Sequence, residues 1–307
     1  MSKAPTSGPV PSQVPPAIQQ QLARIGRVVD PAATALLYAP LQQREPYSGV
    51  KVTRAVPYGP DPRQLLDLFE PEQAGAGRPV LVFLHGGAFI GGERRRDGGP
   101  FYDNIMLWAV KNGMVGVNMT YRLAPQHPWP AAQQDLAAAL GWLRQHVAAH
   151  GGDPGRIVLM GHSAGAAHVA QYLAHPQFHV APGGGVAGAV MTSGLYDLTT
   201  ADSNPPLQSY FGSDKAAYAQ RSALPGLLAS RVPLLLAYAE LDPPDFQAQS
   251  EQAQAAMVAV GRPASLLQLM GHSHMSEVYA INTADHALGD AIAAFVRASP
   301  ARSTTAG

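Results

Sequence analysis

The stretch RIVLMGHSAG, residues 156–165, joins a run of apolar residues to the pattern Gly-x-Ser-x-Gly. An alanine-rich run with helical character, residues 166–173, follows it. A strand, this pattern and a helix in succession are typical of a nucleophile elbow, in which a sharp turn lifts a serine hydroxyl above the end of a parallel sheet. Strand and helix nearly touch at such a turn, so the flanking residues must be small, as Gly161 and Gly165 are. The stretch therefore predicts Ser163 as a nucleophile at the end of a strand.

Apolar runs alternate with helical patterns along most of the chain. Continuous apolar runs predict strands of a buried, mostly parallel sheet, and right-handed crossovers place helices on both of its faces. The first two strands flank the turn signal Gly-Pro-Asp-Pro, residues 59–62, which predicts an antiparallel opening pair. The eight predicted strands cover residues 50–58, 64–69, 80–84, 115–119, 157–160, 186–191, 232–238 and 265–270. The other predicted helices cover residues 17–29, 31–38, 102–112, 131–149, 245–260 and 284–296.

One α/β domain is predicted over residues 17–299, because the 307 residues are 46% hydrophobic and can bury a large core. Residues 1–16 carry five prolines and little apolar surface, which predicts a disordered tail. Residues 300–307 are predicted to be a flexible C-terminus. Helices within residues 17–45 are expected to cap one end of the sheet. The alternation of strands and helices lapses in residues 195–231, which predicts a short lid over the sheet edge.

The composition excludes several partners and chemistries. Formal charge is zero, with 21 basic and 21 acidic residues, and the basic cluster at residues 94–96 is too short to follow a nucleic-acid backbone. Cysteine is absent, which excludes disulfides, thiol catalysis and Cys-ligated zinc. We expect neither a metal nor another cofactor, since the 11 histidines form no recognisable zinc motif. Without a bilayer-spanning apolar run or a signal-peptide core, the sequence predicts a soluble, cytoplasmic protein that binds no membrane.

A serine nucleophile requires a histidine base and a carboxylate that orients it. In folds with a nucleophile elbow, the acid and then the histidine come from the ends of later strands. The stretch AELDP, residues 239–243, ends one such strand. We favour Asp242 as the acid over Glu240 and Asp245, because it lies just past the strand and precedes a proline that helps to open a helix. Its alternative role is that of an N-terminal helix cap.

The base is predicted in the stretch GHSH, residues 271–274, which ends the next strand. His274 is favoured over His272, and the alternative for either is a histidine of a solvent-facing loop. Both partners of the serine thus occur at the strand ends where this chemistry needs them.

Donors for an oxyanion are predicted in the stretch HGGAF, residues 85–89, which directly follows a buried strand. Fixed backbone N–H groups stabilise a tetrahedral intermediate well because they need no reorganisation. Glycines let the backbone present these groups without a clashing side chain. We assign the donors to Gly87, Ala88 and Ala164, with Gly86 shaping the turn.

Together these motifs resemble those of α/β-hydrolases of the hormone-sensitive-lipase-like esterase group, from about residue 50 to the final helix. The resemblance implies the α/β-hydrolase fold with Ser163 as nucleophile, Asp242 as acid and His274 as base, since family members place the histidine three residues after a glycine. The motifs are HGGAF at 85–89, YRLAP at 121–125, PWPAA at 128–132 with Asp135, GHSAG at 161–165, ELDP at 240–243 and GHSH at 271–274.

The chain departs from the usual motifs of that group, GDSAGG and HGGG, at three positions. His162, Ala166 and Ala88 replace an Asp and two glycines. Ala88 still offers its N–H, so the oxyanion site is expected to survive. The elbow with His162 beside the serine is more similar to those of arylformamidases and related small esterases.

The expected function is that of a serine carboxylesterase acting on small, mostly neutral esters through an acyl-enzyme. The alternatives are an arylformamidase or other amide hydrolase with the same triad, and a non-catalytic ligand-binding module on this fold. The expected partner is a small-molecule ester, and the edge strands or final helix of such folds can form a homodimer. Five loop aromatics are predicted to line the substrate pocket: Phe89, Trp129, Tyr196, Tyr210 and Phe211.

Overall fold

A single mostly parallel sheet organises the computed structural model, which describes residues 7–96, 98–262 and 264–302. The strands are β1 (Gly8–Val10), β2 (Val50–Pro57), β3 (Leu65–Pro71), β4 (Arg78–Leu84), β5 (Val115–Met119), β6 (Gly152–His162), β7 (Gly188–Thr192), β8 (Leu234–Leu241) and β9 (Ser265–Ser273). Their order in the sheet is β1-β9-β8-β7-β6-β4-β5-β3-β2. Strand β3 is antiparallel to both β2 and β5, and the other neighbours are parallel. The predicted mostly parallel sheet with an antiparallel opening pair is confirmed.

Strand β1 is an addition to the eight predicted strands, and it lies in the segment predicted to be a disordered tail. It pairs in parallel with Leu267–Leu269 of β9, and Val14 just beyond it is buried in the core. Pro9 is tolerated because β1 is an edge strand, where one missing N–H breaks no central ladder. The structure therefore differs from the prediction over residues 7–16. Residues 1–6 of the predicted tail and residues 303–307 of the predicted flexible C-terminus lie outside the described part of the chain.

Helices cover both faces of the sheet. They are α1 (Pro16–Ile25), α2 (Pro31–Tyr38), α3 (Asp103–Lys111), α4 (Ala131–His146), α5 (Ala164–Ala174), α6 (Pro205–Phe211), α7 (Tyr218–Arg221), α8 (Leu224–Ala229), α9 (Pro244–Ala259), α10 (Ser276–Tyr279) and α11 (Ala287–Ala298). Helix α2 has the predicted bounds because Pro31 suits its first turn and the Asp30 carboxylate accepts a hydrogen bond from Ala33 N at 2.9 Å. Of the helices described, none combines the length and apolar character needed to cross a membrane.

Strand β4 divides the core into two layers, because successive side chains of a strand point to opposite faces. Val82 and Leu84 belong to one buried cluster, which also contains residues of α4 and α5. Leu81 and Phe83 belong to the other cluster, with residues of α3 and α11. A fully buried Leu or Phe contributes roughly 1.5–3 kcal/mol relative to exposure, so the central strands are held firmly from both sides. This rigid centre carries the ends of β4 and β6, between which the predicted elbow lies.

Parts of the predicted cap and lid, Val29, Pro31, Asn204 and Pro206, line one cavity with Ser163 at the carboxyl end of β6. The predicted lid, residues 195–231, forms α6, α7 and α8. The cap helices α1 and α2 are anchored by buried Leu22 and Tyr38. Gln42, just after them, donates hydrogen bonds from Nε2 to the carbonyl oxygens of Tyr279 and Ile281 at 2.8 and 2.9 Å.

Candidate active site

Ser163 lies in the sharp turn between β6 and α5, with φ 57° and ψ −123°. Two close backbone approaches explain the glycines on either side. A Cβ on Gly161 would stand 2.4 Å from the carbonyl oxygen of Gly165, and a Cβ on Gly165 would stand 2.2 Å from that of Leu84. Ser163 N–H donates to Thr192 O at 2.9 Å, which ties the turn to β7. Only glycine fits at both flanking positions, and the serine is held in a backbone conformation that L-residues rarely adopt.

The side chains of Asp242 and His274 meet at the ends of β8 and β9. His274 Nδ1–H donates to Asp242 Oδ1 at 2.7 Å, and both side chains are fully buried. The other carboxylate oxygen, Oδ2, accepts hydrogen bonds from Ser193 Oγ at 2.6 Å and from Ala239 N at 2.8 Å. Arg27 of the cap donates to the backbone carbonyl of Asp242 at 3.0 Å. The carboxylate is therefore fixed on all sides, and it fixes the imidazole in turn.

The second ring nitrogen of His274 is left free for chemistry. Because Nδ1 carries the proton that Asp242 accepts, Nε2 of the neutral ring is a proton acceptor. Nε2 is buried and has no hydrogen-bond partner within the described residues. His274 and Ser163 line the same cavity, and the ring of Phe246 packs against the imidazole with centroids 4.5 Å apart. The structure thus brings together the three residues that the sequence singled out as nucleophile, acid and base.

The loop after β4 lies against the elbow. A Cβ on Gly86 would stand 3.0 Å from the Cβ of Ser163, so this position also requires close approach. Gly87 and Ala88 have φ values of 138° and 50°. The N–H groups of Gly87, Ala88 and Ala164 donate to no acceptor among the described residues, and all three residues line the cavity of Ser163. The predicted oxyanion donors are therefore gathered beside the serine with their hydrogens available.

The rejected alternatives for acid and base have other partners. Glu240 Oε2 accepts a hydrogen bond from Gly271 N at 2.7 Å, and Asp245 Oδ2 accepts one from the backbone of the lid at 3.1 Å. His272 Nε2 lies 3.0 Å from a carboxylate oxygen of Asp285, away from Asp242. In the described part of the chain, no three His, Asp or Glu side chains are placed to hold a metal ion.

The cavity at Ser163 has a volume of about 570 Å³ and is lined in part by the cap, the lid and α9. Its apolar walls come from several distant segments, which is why the sequence does not reveal them. Beyond Ser163, Ala164, the oxyanion loop and His274, the lining consists of Val29, Pro31, Gly92, Glu93, Arg96, Tyr102, His162, Leu195, Asn204, Pro206, Phe246 and Met275.

Of the five aromatics predicted to line the pocket, Phe89 does so and the others do not. Tyr210 and Phe211 are fully buried behind Phe89, with ring centroids at 5.3 Å from it in both cases. Tyr210 is also held by Gln133, whose Oε1 accepts its hydroxyl proton at 3.0 Å. Burial of these rings anchors α6 to the body of the domain, so they support the pocket wall without forming its surface.

Tyr196 and Trp129 are likewise corrections to the predicted pocket. Tyr196 is fully buried and its N–H donates to Gln249 Oε1 at 2.8 Å. Trp129 packs against His175, with ring centroids 5.7 Å apart, and its Nε1–H donates to Gln171 at 3.3 Å. Burying a large aromatic ring is favourable even when the ring lies in a loop. Tyr196 and Trp129 therefore pack between elements of the fold and do not face the cavity.

Three buried polar residues belong to the site although the sequence patterns did not predict a role for them there. Ser193 directly follows β7 and donates to Asp242, while Glu277 lies in α10, three residues after His274. His162 precedes the nucleophile, and its Nε2–H donates to the backbone carbonyl of His274 at 2.8 Å. The only available signal for Ser193 was its place after a predicted strand, since a lone serine has many other uses.

Comparison with known proteins identifies the family of this chain. The BD-FAE family model matches residues 66–221, about half of the chain, including the oxyanion loop, the elbow and the lid as far as residue 221. The chain belongs to the BD-FAE family. This membership and the esterase relatives confirm the relationship to α/β-hydrolase esterases that the motifs indicated.

Two curated relatives of this BD-FAE chain are bacterial hydrolases. Esterase LipQ of Mycobacterium tuberculosis is 32% identical over 211 residues, which are 65% of this chain and 48% of LipQ. Phenmedipham hydrolase of Pseudarthrobacter oxydans is 37% identical over 120 residues, which are 36% of this chain and 23% of that enzyme. The chain therefore spans about half or less of the length of these relatives.

Solved structures confirm the α/β-hydrolase fold of the BD-FAE chain. Esterase B from Lactobacillus rhamnosis superposes with a TM-score of 0.67 at 19% identity, covering 86% of this chain and 87% of that one. A hyperthermophilic esterase from the archaeon Pyrobaculum calidifontis superposes with a TM-score of 0.66 at 21% identity, covering 94% and 97%. At these identities the likeness concerns the fold alone.

Proposed function

We propose that this chain is a serine carboxylesterase that hydrolyses small, mostly neutral carboxylic esters through an acyl-enzyme intermediate. The observation that carries the proposal is the buried hydrogen bond of 2.7 Å between Asp242 and His274, in the cavity that also exposes Ser163. The esterase relatives and the BD-FAE membership point to the same chemistry.

Each residue has a role that follows from its contacts. His274 Nε2 takes the proton of Ser163 as the oxygen attacks the ester carbonyl, and Asp242 stabilises the imidazolium that forms. The N–H groups of Gly87, Ala88 and Ala164 bind the negative oxygen of the tetrahedral intermediate; losing one such donor typically costs about 3 kcal/mol of transition-state stabilisation. His274 then returns the proton to the leaving alcohol. Water, activated by the same imidazole, releases the acid and restores Ser163.

The cavity supports a small neutral substrate. Its volume of about 570 Å³ accommodates a small ester, and its walls include apolar Val29, Leu195 and Phe246. The acidic residue of the lining, Glu93, lies 3.2 Å from the guanidinium of Arg63, so its charge is already paired. The mostly apolar walls favour an uncharged acyl group, because an ionised group placed against them would lose its hydration. Arg96, which also lines the cavity, is the cationic side chain that an acidic group of a substrate would meet there.

The decisive variant is Ser163→Ala, assayed on p-nitrophenyl esters from acetate to palmitate. We expect its kcat to fall by at least about 10⁴-fold, as in other enzymes that lose a triad nucleophile. Ser213→Ala, at an exposed lid position, is the matched control and should retain wild-type activity. Near-wild-type hydrolysis by Ser163→Ala would refute the proposal. Absence of hydrolysis in the wild type would favour the non-catalytic binding module.

Amide hydrolysis by the same machinery is the second candidate, because His162 gives the elbow its likeness to those of arylformamidases. A carboxylesterase should turn over a phenyl ester with a higher kcat/KM than the aryl formamide of matching size. The reverse ratio would identify an amide hydrolase, while leaving the roles of Ser163, Asp242 and His274 in place.

A further inference from the structure

The carboxyl group of Glu277 is buried behind the candidate active site and has no part in the mechanism above. It lies three residues after His274, in α10, and its side chain is fully buried. Oε1 is 3.2 Å from Nε2 of His162, which precedes the nucleophile. Neither carboxyl oxygen accepts a hydrogen bond from any group in the described residues. An ionised carboxylate left in this state would be strongly unfavourable.

The surroundings of Glu277 favour its neutral form. Burial and the nearby negative charge of Asp242 raise the pKa of Glu277 well above its usual range, although His274, His272 and Ser193 act in the opposite direction. Ser193 already donates its only hydroxyl proton to Asp242 at 2.6 Å. The Ser193 oxygen can therefore accept a hydrogen bond from the O–H of a neutral Glu277 but cannot donate one to it.

His162 is the second neutral group of this cluster. Burial lowers its pKa to about 4, so the ring is uncharged at neutral pH. Nε2–H donates to the backbone carbonyl of His274 at 2.8 Å, and the imidazole rings of His162 and His274 lie 4.7 Å apart. This hydrogen bond joins the nucleophile elbow to the loop of the base. Glu277 Oε1 lies 3.2 Å from the same nitrogen, so the carboxyl group packs directly against this edge of the His162 ring.

We propose that Glu277, in its protonated form, is a positioning residue that holds the elbow, the acid loop and the base loop in register. It contacts the elbow through His162 and stands beside Ser193, which binds the acid Asp242. Neutrality is part of the role. A second negative charge beside Asp242 would stabilise the imidazolium form of His274 and retain the proton that the base must release. This inference rests on the proposed esterase function for its kinetic test, but not for its spectroscopic test.

The kinetic test compares two substitutions of Glu277 with one of Asp242. Glu277→Gln keeps the shape, the neutrality and a hydrogen-bond donor, so we expect its kcat to remain within about threefold of wild type. Glu277→Leu keeps the volume without polar atoms, and we expect kcat to fall about 10- to 100-fold with KM nearly unchanged, as for misplacement of a reacting group. Glu251→Gln, at an exposed position of α9, is the control for a Glu-to-Gln exchange away from the site and should keep the wild-type kcat.

The results separate this proposal from its alternatives. If Glu277→Gln loses as much activity as Asp242→Asn, the group acts as a carboxylate and the proposal is wrong. Wild-type kcat in a folded Glu277→Leu would also overturn it, since no positioning role would remain. Should Glu277→Leu fail to fold, Glu277→Met provides the same comparison with a more adaptable apolar side chain.

An infrared titration tests the protonation of Glu277 without any substrate. We expect the wild type to show a carbonyl stretch of a protonated carboxylic acid at pH 7, and Glu277→Gln to lack it. Absence of this band in the wild type would show an ionised Glu277 and overturn the inference, whatever the enzyme hydrolyses. Failure of the esterase proposal would appear instead as a wild type without activity that retains the band.

Discussion

Two aspartates at the carboxyl ends of the sheet have nearly equal hydrogen bonding and very different surroundings. Asp135, in α4, is fully buried and accepts hydrogen bonds from Arg122 N at 2.7 Å, Arg122 Nε at 2.8 Å and Gln64 Nε2 at 2.7 Å. Asp242 is equally buried and also accepts three, from His274, Ser193 and the backbone of β8, at 2.6–2.8 Å. Burial and hydrogen-bond number do not distinguish the two groups.

The difference lies in the donors. Arg122 is permanently charged and lies in the segment that follows β5. Its backbone N–H and its Nε–H both donate to Asp135 in α4, so the pair is a structural clamp between that segment and the helix. His274 can gain and lose a proton, and its second nitrogen is open to the cavity of Ser163. A buried carboxylate can therefore support catalysis when its partner can exchange a proton and has a second nitrogen that is free to reach the substrate. Removing each carboxylate in turn should separate the two roles.

The largest effect is expected for Asp242→Asn. The amide cannot accept from Nδ1–H while satisfying the other donors, so His274 would adopt the wrong tautomer and lose its basic nitrogen. We expect kcat on a short p-nitrophenyl ester to fall about 10⁴-fold, with a melting temperature close to that of the wild type. Loss of less than about tenfold in kcat would contradict the assigned role of Asp242.

Asp135→Asn should show the opposite pattern. Removing one partner of a buried ion pair leaves Arg122 without its counter-charge, and we expect the free energy of unfolding to fall by about 3 kcal/mol. Because the clamp is separate from Ser163, kcat of the folded variant should stay within about threefold of wild type. Urea unfolding and ester hydrolysis measure the two quantities on the same sample. If Asp135→Asn instead lost much of its kcat with an unchanged free energy of unfolding, the structural role of Asp135 and its contrast with Asp242 would be wrong.

A smaller effect is expected for His168, a buried histidine that lacks the carboxylate partner of His274. His168 is fully buried in α5, and neither ring nitrogen has a hydrogen-bond partner in the described residues. Without a carboxylate such as Asp242 beside it, burial lowers its pKa to about 3. The unfolded chain binds a proton on this ring near pH 6.5, so its contribution to stability is full above pH 6.5 and is lost as pH falls towards 3.

We expect His168→Phe, which suits neighbours such as Phe89 and Tyr121, to weaken this acid sensitivity. The slope of unfolding free energy against pH between about pH 4 and 6 should fall by roughly 1.4 kcal/mol per pH unit. His146→Gln, at an exposed position, is the control and should leave the slope nearly unchanged. An unchanged slope in His168→Phe would mean that the ring is already charged in the folded state.

Sequence patterns were sufficient where covalent neighbours determine the structure. The elbow could be predicted because Gly161, Ser163 and Gly165 are imposed by one turn, and the strand ends before Asp242 and His274 are visible as apolar runs. The fold followed from the same alternation of strands and helices. These features are local, and the sheet brings them together.

Local sequence patterns could not predict contacts between segments that are distant in the chain. Ser193 and Glu277 become neighbours of Asp242 only when β7, β8 and α10 meet in the fold. Tyr210 and Phe211 were predicted to face the substrate, but the best burial for their rings lies behind Phe89. Strand β1 was missed because three residues gain stability only from the exposed edge of β9.

Labelling with a fluorophosphonate probe, followed by intact-mass measurement and peptide mapping, tests the activation of Ser163 most directly. We expect a single adduct on Ser163 in the wild type, none in Ser163→Ala, rapid labelling in Asp135→Asn and slow labelling in Asp242→Asn. An unlabelled wild type, or an adduct on another residue such as Ser193, would contradict the assignment of Ser163 as a nucleophile activated by His274 and Asp242.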